Sequence, residues 1–139
     1  MIFSHAGITD TWANDFLYNY MKYDERAELE NNSVIFETAR VLKDTPLKDF
    51  NKYYVEAISQ ISYHRGGWSL AGSCEWADIK EHVDLVNSTD KIIPLGKDGI
   101  YQVFGHTQLK SPLITDKWAC LDCRQGFIID TISHEITKC

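Results

Sequence analysis

Apolar positions recur along the chain with two periods, and the change of period divides it. Trp12, Ala13, Phe16, Leu17, Tyr20 and Met21 repeat at helical spacing behind Thr9 or Asp10, either of which offers an N-cap oxygen. After a charged turn (Tyr23 to Glu30), Ser33 can cap a second helix through about Leu42, with Ile35, Ala39 and Leu42 on one face. Thr45-Pro46 marks a third start, because proline at the first helical position gives up no needed hydrogen bond. The stripe Leu47, Phe50, Tyr54, Ala57, Ile58, Ile61 follows it. The section from Thr9 to Ser62 therefore reads as helical, a cap or crossover between two strands of one sheet.

From Tyr63 to Asp78 the helical period is lost in a run holding three glycines and two tryptophans, a composition that suits either a pocket-lining loop or a packed connection. A short helix is expected over Ile79 to Val86, then a turn-rich stretch with a small strand at Ile92-Ile93. The last forty residues are β in character: Ile100 to Phe104, Leu113 to Thr115, Trp118 to Leu121, Phe127 to Asp130 and Thr131 to Ile136. Breaks at Gly105, Ser111-Pro112, Asp116-Lys117 and Gln125-Gly126 read as hairpin signals. With a first strand at residues 2 to 5, helices early and strands late give a layered α/β or α+β domain.

Composition narrows this picture. The 139 residues are one domain's worth, 44% hydrophobic and 24% charged, with three prolines and eight glycines, which describes an ordered globular chain. A formal charge of −6 with scattered Lys and Arg argues against a nucleic-acid partner. No stretch has the roughly 18 apolar residues of a membrane span, and no basic region with a cleavage site opens the chain, so a cytoplasmic location is expected. The four cysteines, Cys74, Cys120, Cys123 and Cys139, are then expected as reduced thiols. Cys120-x-x-Cys123 lies in a strand-like run with no second pair, so it reads as structural rather than as a zinc or redox motif.

Two segments share a grammar: Ile2-Phe3-Ser4-His5-Ala6-Gly7-Ile8 and Gln102-Val103-Phe104-Gly105-His106-Thr107 each end a short β-prone run in a histidine beside a glycine. Parallel strands deliver ligands at their carboxyl edge, so His5 and His106 are placed to meet at one metal ion. His64, beside Arg65, can face a pocket, while His82 and His134 read as surface residues.

Ser4-His5-Ala6-Gly7-Ile8 resembles the "HAG" or "HGG" motif, and Val103-Phe104-Gly105-His106-Thr107 the "GHT" motif, of the calcineurin-like metallophosphoesterases. The nearest branch is that of bacterial serine/threonine protein phosphatases and diadenosine tetraphosphatases. Glu75-Trp76-Ala77-Asp78 is similar to the Trp-containing element upstream of "GHT" there, and Trp118-Ala119-Cys120-Leu121-Asp122 to the "W-x-x-I-D" strand after it. The ordered match runs from Ile2 to about Asp130.

The resemblance implies a partial metallophosphoesterase-type layered sandwich and a hydrolase of phosphate esters. The family uses two divalent ions (Mn, Fe, Zn or Mg) about 3.5 to 4 Å apart to activate a bridging water. It implies that His5 and His106 ligate the same ion. Thr107 and Asp122 are read from their positions as supports around the ligands, Asp122 by fixing backbone or by orienting a metal-bound imidazole. Arg65 matches no family motif cleanly and is assigned to the phosphate because a guanidinium can grip two oxygens.

The departure is equally specific. The family's D-x-H, G-D-x-x-D and G-N-H motifs, which supply the remaining ligands and the leaving-group acid, occur nowhere in these 139 residues. Two imidazoles alone cannot hold a dinuclear centre. The chain is thus expected to correspond to the carboxyl-terminal half of such a domain, and Met1 directly before the motif strand suits a truncation or internal start. Little or no activity is expected from it alone. An open sheet edge and uncovered apolar face predict self-association or a complementing amino-terminal half. The alternative is a non-catalytic pseudo-enzyme or interaction module that keeps the half fold. Phosphoprotein, dinucleoside polyphosphate and small phosphoesters all stay open as substrates.

Overall fold

The structure, a computed structural model, describes residues 1–20, 34–49, 52–83 and 100–139. The expectations for Met21, the turn at 23–30, Ser33, Phe50, residues 84–99 with their Ile92-Ile93 strand, and the side chain of His82 fall outside the described residues.

The chain is α/β. Strand β1 (Ile2–Phe3) leads into helix α1 (Asp10–Asp15), which continues as one π-helical turn over Phe16–Tyr20. Helices α2 (Val34–Asp44), α3 (Lys52–Ile58) and α4 (Ile79–Val83) come after it. Strands β2 (Gln102–Phe104), β3 (Leu113–Ile114) and β4 (Trp118–Cys120) complete a mixed sheet ordered β1-β2-β4-β3, and β5 (Phe127–Ile129) pairs antiparallel with β6 (Ile136–Lys138) in a separate ribbon. Strands β1, β2 and β4 are parallel and β3 is antiparallel. The helical section thus lies in a crossover joining two parallel neighbours, one of the two roles its period leaves open.

Alternation along the strands sorts side chains onto two faces. Phe104, Trp118 and Cys120 join Ile8, Trp12, Phe16, Leu17, Ile35, Tyr54 and Ala57 in the core beneath the helices. Tyr101, Val103 and Ala119 point the other way and are covered by Leu121, Ile129 and Ile136, so the β5–β6 ribbon caps the second face. Burying each large apolar side chain contributes about 1.5–3 kcal/mol. Trp12 does so without losing its polar end, since Nε1 donates to the Ala57 carbonyl at 3.1 Å.

Several boundaries differ from the sequence expectation, each for a local reason. The Thr9 hydroxyl accepts from Trp12 N at 3.2 Å, the expected cap. Thr45, by contrast, ends α2: its hydroxyl donates to Val41 O at 2.6 Å instead of capping a new helix, and only a 3₁₀ turn (Leu47–Asp49) comes next. Helix α3 stops at Ile58, because Ile61 and Tyr63 exchange backbone hydrogen bonds with Ser69 across a tight loop. Gly67 makes that loop feasible: a Cβ there would lie 2.0 Å from the Ile61 carbonyl oxygen.

Of the four hairpin signals, only Asp116-Lys117 joins paired neighbours, β3 and β4. The stretch Thr131–Glu135, expected as strand, is the actual turn of the β5–β6 ribbon. Asp130 Oδ1 accepts from Ile132 N (2.8 Å) and Ser133 N (2.9 Å), and His134 takes φ +63°. Those hydrogen bonds hold the Asp130 carboxyl below its ordinary value.

Among the described residues no strand pairs with the outer side of β1, where Phe3 is 59% exposed, and Leu113 and Ile114 are exposed at the β3 edge. A groove of about 350 Å³ runs between β1 and helices α2 and α3, with His5 on its rim. No helix among the described residues is long and apolar enough to cross a membrane.

Candidate metal and phosphate site

His5 and His106 leave the carboxyl ends of adjacent parallel strands in register, Phe3 opposite Val103. The Gly105 N–H donates to His5 O at 2.8 Å, which locks the two strand ends together. The imidazoles meet: His5 Nε2 lies 2.8 Å from His106 Nδ1, with ring centroids 4.7 Å apart. The contact is a hydrogen bond in which one ring donates to the other; an ion bound at about 2.0–2.1 Å to both nitrogens would need them about 2.9–3.4 Å apart with both lone pairs turned toward it.

The shared grammar of the two motifs is built differently. After β1 the glycine takes the left-handed conformation, Gly7 at φ +86°. After β2 it is His106 itself, at φ +66°. Histidine enters that region more readily than most residues. Gly105 has no such φ, and its nearest neighbour to an added Cβ would be Asp122 Cβ at 3.4 Å, so glycine is not sterically demanded there.

The loop carrying His5 is pinned from three sides. Ala6 N donates to Cys74 O (2.7 Å) and Gly7 N to Ser4 Oγ (3.1 Å). Gln102, fully buried in β2, clamps Ile8 by both backbone groups: Ile8 N donates to Oε1 (3.0 Å) and Nε2 donates to Ile8 O (3.1 Å). Sequence pattern hides this residue, because Gln102 stands in an apolar run.

Arg65 comes to the same place. Its Nε donates to Asp78 Oδ2 and its Nη2 to Thr107 Oγ1, both at 2.8 Å. The Thr107 hydroxyl also accepts from Ile79 N at 3.0 Å, tying the loop after β2 to the start of α4. Asp78 caps α4 through Lys80 N (3.0 Å). Buried Glu81 accepts from Asp78 N (2.7 Å), Gly72 N (2.8 Å) and Ser62 Oγ (2.5 Å), which fixes the glycine-rich loop against the helix. The Asp78-x-x-Glu81 spacing is a capping box and would have revealed both. Trp76 packs edge-on against the His106 ring at 5.6 Å.

His106 Nε2 is buried and has no hydrogen-bond partner among the described residues. The imidazole pKa is lowered from its ordinary value, first by desolvation, then by the Arg65 charge and by His5, with Asp78 and Asp122 opposing. The neutral ring is the form that binds metal, and if its lone pair lies on Nδ1, toward His5, then Nε2 carries the N–H. Asp122 lies beside Gly105 but makes no hydrogen bond to His106, so the expected orienting contact is not formed. His64 packs against Tyr63 in a tilted contact at 4.4 Å rather than joining the pair, and His134, partly exposed, stacks on Tyr101 at 4.8 Å.

All four cysteines are free. Burial, then the Glu75 charge, push the Cys74 thiol up to about 12, which keeps it protonated and poor as a ligand. Two imidazoles fit a divalent ion as part of its ligand set, yet no group of three or more His, Cys, Asp or Glu among the described residues is arranged to hold one. No family model, curated protein or solved structure matches the chain.

Proposed function

We propose that this chain carries the two-histidine part of a metal-dependent phosphoesterase site, with a hydrolase's phosphate ester as substrate and a partial metallophosphoesterase-type sandwich as its fold. The observation that carries this reading is the convergence of His5 Nε2 and His106 Nδ1 at 2.8 Å on the carboxyl edge of parallel strands. The order of the motifs that resemble that family supports it, as does Arg65, held beside the pair by Thr107 and Asp78. A divalent ion there would supply Lewis acidity toward a phosphoryl oxygen and a bound water. The chain's own residues would do the rest of the local work: His5 and His106 hold the ion, and the Arg65 guanidinium binds phosphoryl oxygens.

Completion of the ligand set is assigned to carboxylates of a complementing segment beside β1, whose outer side has no paired strand among the described residues, in keeping with the lack of a third ligand among them. That same lack favours a second reading, an interaction module that keeps the half fold without catalysis.

Titration with Mn²⁺ in the presence of inorganic phosphate separates the two readings. The phosphoesterase reading expects divalent-ion binding lost in both His5→Ala and His106→Ala, and phosphate binding that strengthens when the ion is present. No metal binding, or metal-dependent turnover of an aryl phosphate that survives His106→Ala, would overturn it.

A further inference from the structure

The carboxyl edge that presents His5 and His106 continues past them onto β4, and there a second set of basic side chains gathers. Gln108 and Lys110 come a few residues after β2, and Arg124 comes after β4, which is parallel to β2. The two loops are tied together: Leu109 N donates to Asp122 O at 2.8 Å. Gln108, Leu109, Lys110, Cys123 and Arg124 line an open groove of about 430 Å³.

Arg124 is held in an unusual way. Its backbone is left-handed, φ +57°, a conformation that costs an L-residue about 1–2 kcal/mol. Its Nε and Nη2 both donate to the Gln108 amide oxygen, at 2.8 and 3.0 Å, in the amide orientation that satisfies both groups. Arg40 is paired with Glu37 and Asp44, and Arg65 with Asp78. Arg124 forms no ion pair among the described residues, and neither does Lys110. A neutral amide fixes the guanidinium without neutralising it and leaves the edge bearing Nη1 open. A fixed, uncompensated guanidinium with two free N–H groups on one edge is the geometry that grips an oxyanion. In a chain of net charge −6, two unpaired cations at the lip of one groove stand against the general field of the molecule.

We infer that Arg124, positioned by Gln108 and assisted by Lys110, forms a second oxyanion subsite beside the His5–His106 pair, so that the substrate carries a second anionic group besides the reacting phosphate. Gln108 stands two residues after His106, which places its Cα within about 7 Å of the histidine's. The shared chemistry is an oxyanion, from a second phosphate or from a carboxylate. The meaning of the subsite for substrate choice rests on the phosphoesterase reading, whereas the binding it predicts does not.

The test is therefore made on the metal-free chain at constant ionic strength near 0.15 M, where exposed charges separated by more than about 8 Å are screened. Tripolyphosphate, inorganic phosphate and citrate are titrated while the Arg124 Nε–H resonance and the heat of binding are monitored. Tripolyphosphate is expected to bind at least five-fold more tightly than inorganic phosphate and to move Arg124 Nε–H. Arg124→Asn, which keeps a residue tolerant of the left-handed backbone, is expected to weaken it about ten-fold, and Lys110→Gln about three-fold. Citrate binding as tightly as tripolyphosphate would assign the second group to a carboxylate, and weaker citrate binding to a phosphate, either result supporting the subsite. Equal affinity for phosphate and tripolyphosphate, an unmoved Arg124 resonance, or unchanged binding in Arg124→Asn would overturn it. Because no metal is present, none of these outcomes depends on whether His5 and His106 hold an ion.

Discussion

Gln102→Leu removes the amide that joins β2 to the loop carrying His5. The side chain is wholly buried, and so is Ile8, whose N–H and C=O are its partners at 3.0 and 3.1 Å. Leucine is close in volume, so little cavity forms, and the cost comes from two buried backbone groups left unpaired. Each such group costs about 1–3 kcal/mol, and partial relaxation toward solvent trims the sum to about 2–4 kcal/mol. For a chain of this length that is a fall in Tm of roughly 10 °C. Urea unfolding monitored by the buried Trp12 and Trp118 should show a lower midpoint with an unchanged slope. The same change should weaken metal binding, since the loop that sets the His5 imidazole loses one of its three anchors. A cost below about 0.5 kcal/mol would refute the claim that the clamp, rather than packing, holds this loop.

The same geometry has other measurable consequences. Gly67→Ala drives a Cβ to within 2.0 Å of the Ile61 carbonyl oxygen and should destabilise by at least about 2 kcal/mol, while Gly105→Ala, with its nearest contact at 3.4 Å, should cost under about 1 kcal/mol; thermal melts compare them. Glu81→Gln turns an N–H₂ toward one of the donors that the carboxylate accepts, Gly72 N or Asp78 N and Ser62 Oγ, and should cost about 2–3 kcal/mol in chemical unfolding. Because His106 has a lowered pKa in the folded chain, the unfolded chain takes up that proton first. Stability is therefore full above the ordinary value of 6.5 and falls as pH drops below it toward the folded pKa. His106→Asn should flatten that part of the stability–pH curve, and an unchanged slope would contradict the assignment.

Much of this arrangement was legible in the residues. The switch from helical to alternating period located the crossover and the β-rich last third, and the paired motifs pointed to His5 and His106 without any geometry. The features that stayed hidden depend on tertiary contact. Gln102 sits among apolar neighbours, so nothing local says that its amide holds Ile8 across the fold. The turn at Thr131–Glu135 is made by the Asp130 carboxylate collecting backbone donors, which outweighs the β-propensity of Thr131 and Ile132. Thr45 faced two uses, ending one helix or starting the next, and the choice was settled by the Val41 carbonyl within reach. Arg65 was legible as a cation near a glycine-rich loop, but its partner Asp78 and its contact with Thr107 belong to the packing of α4.

On the proposed reading, His5 and His106 bind one divalent ion together. Imidazole nitrogens report coordination directly, so the decisive measurement is the ¹⁵N spectrum of all the histidines as Zn²⁺ is titrated into the chain at neutral pH. If one ion is shared, His5 Nε2 and His106 Nδ1 shift together with a common one-to-one endpoint, either His→Ala substitution abolishes the shift of the other, and His64 and His134 do not move. Zn²⁺ shifting one of the pair without the other, or moving His64 or His134 first, would contradict it.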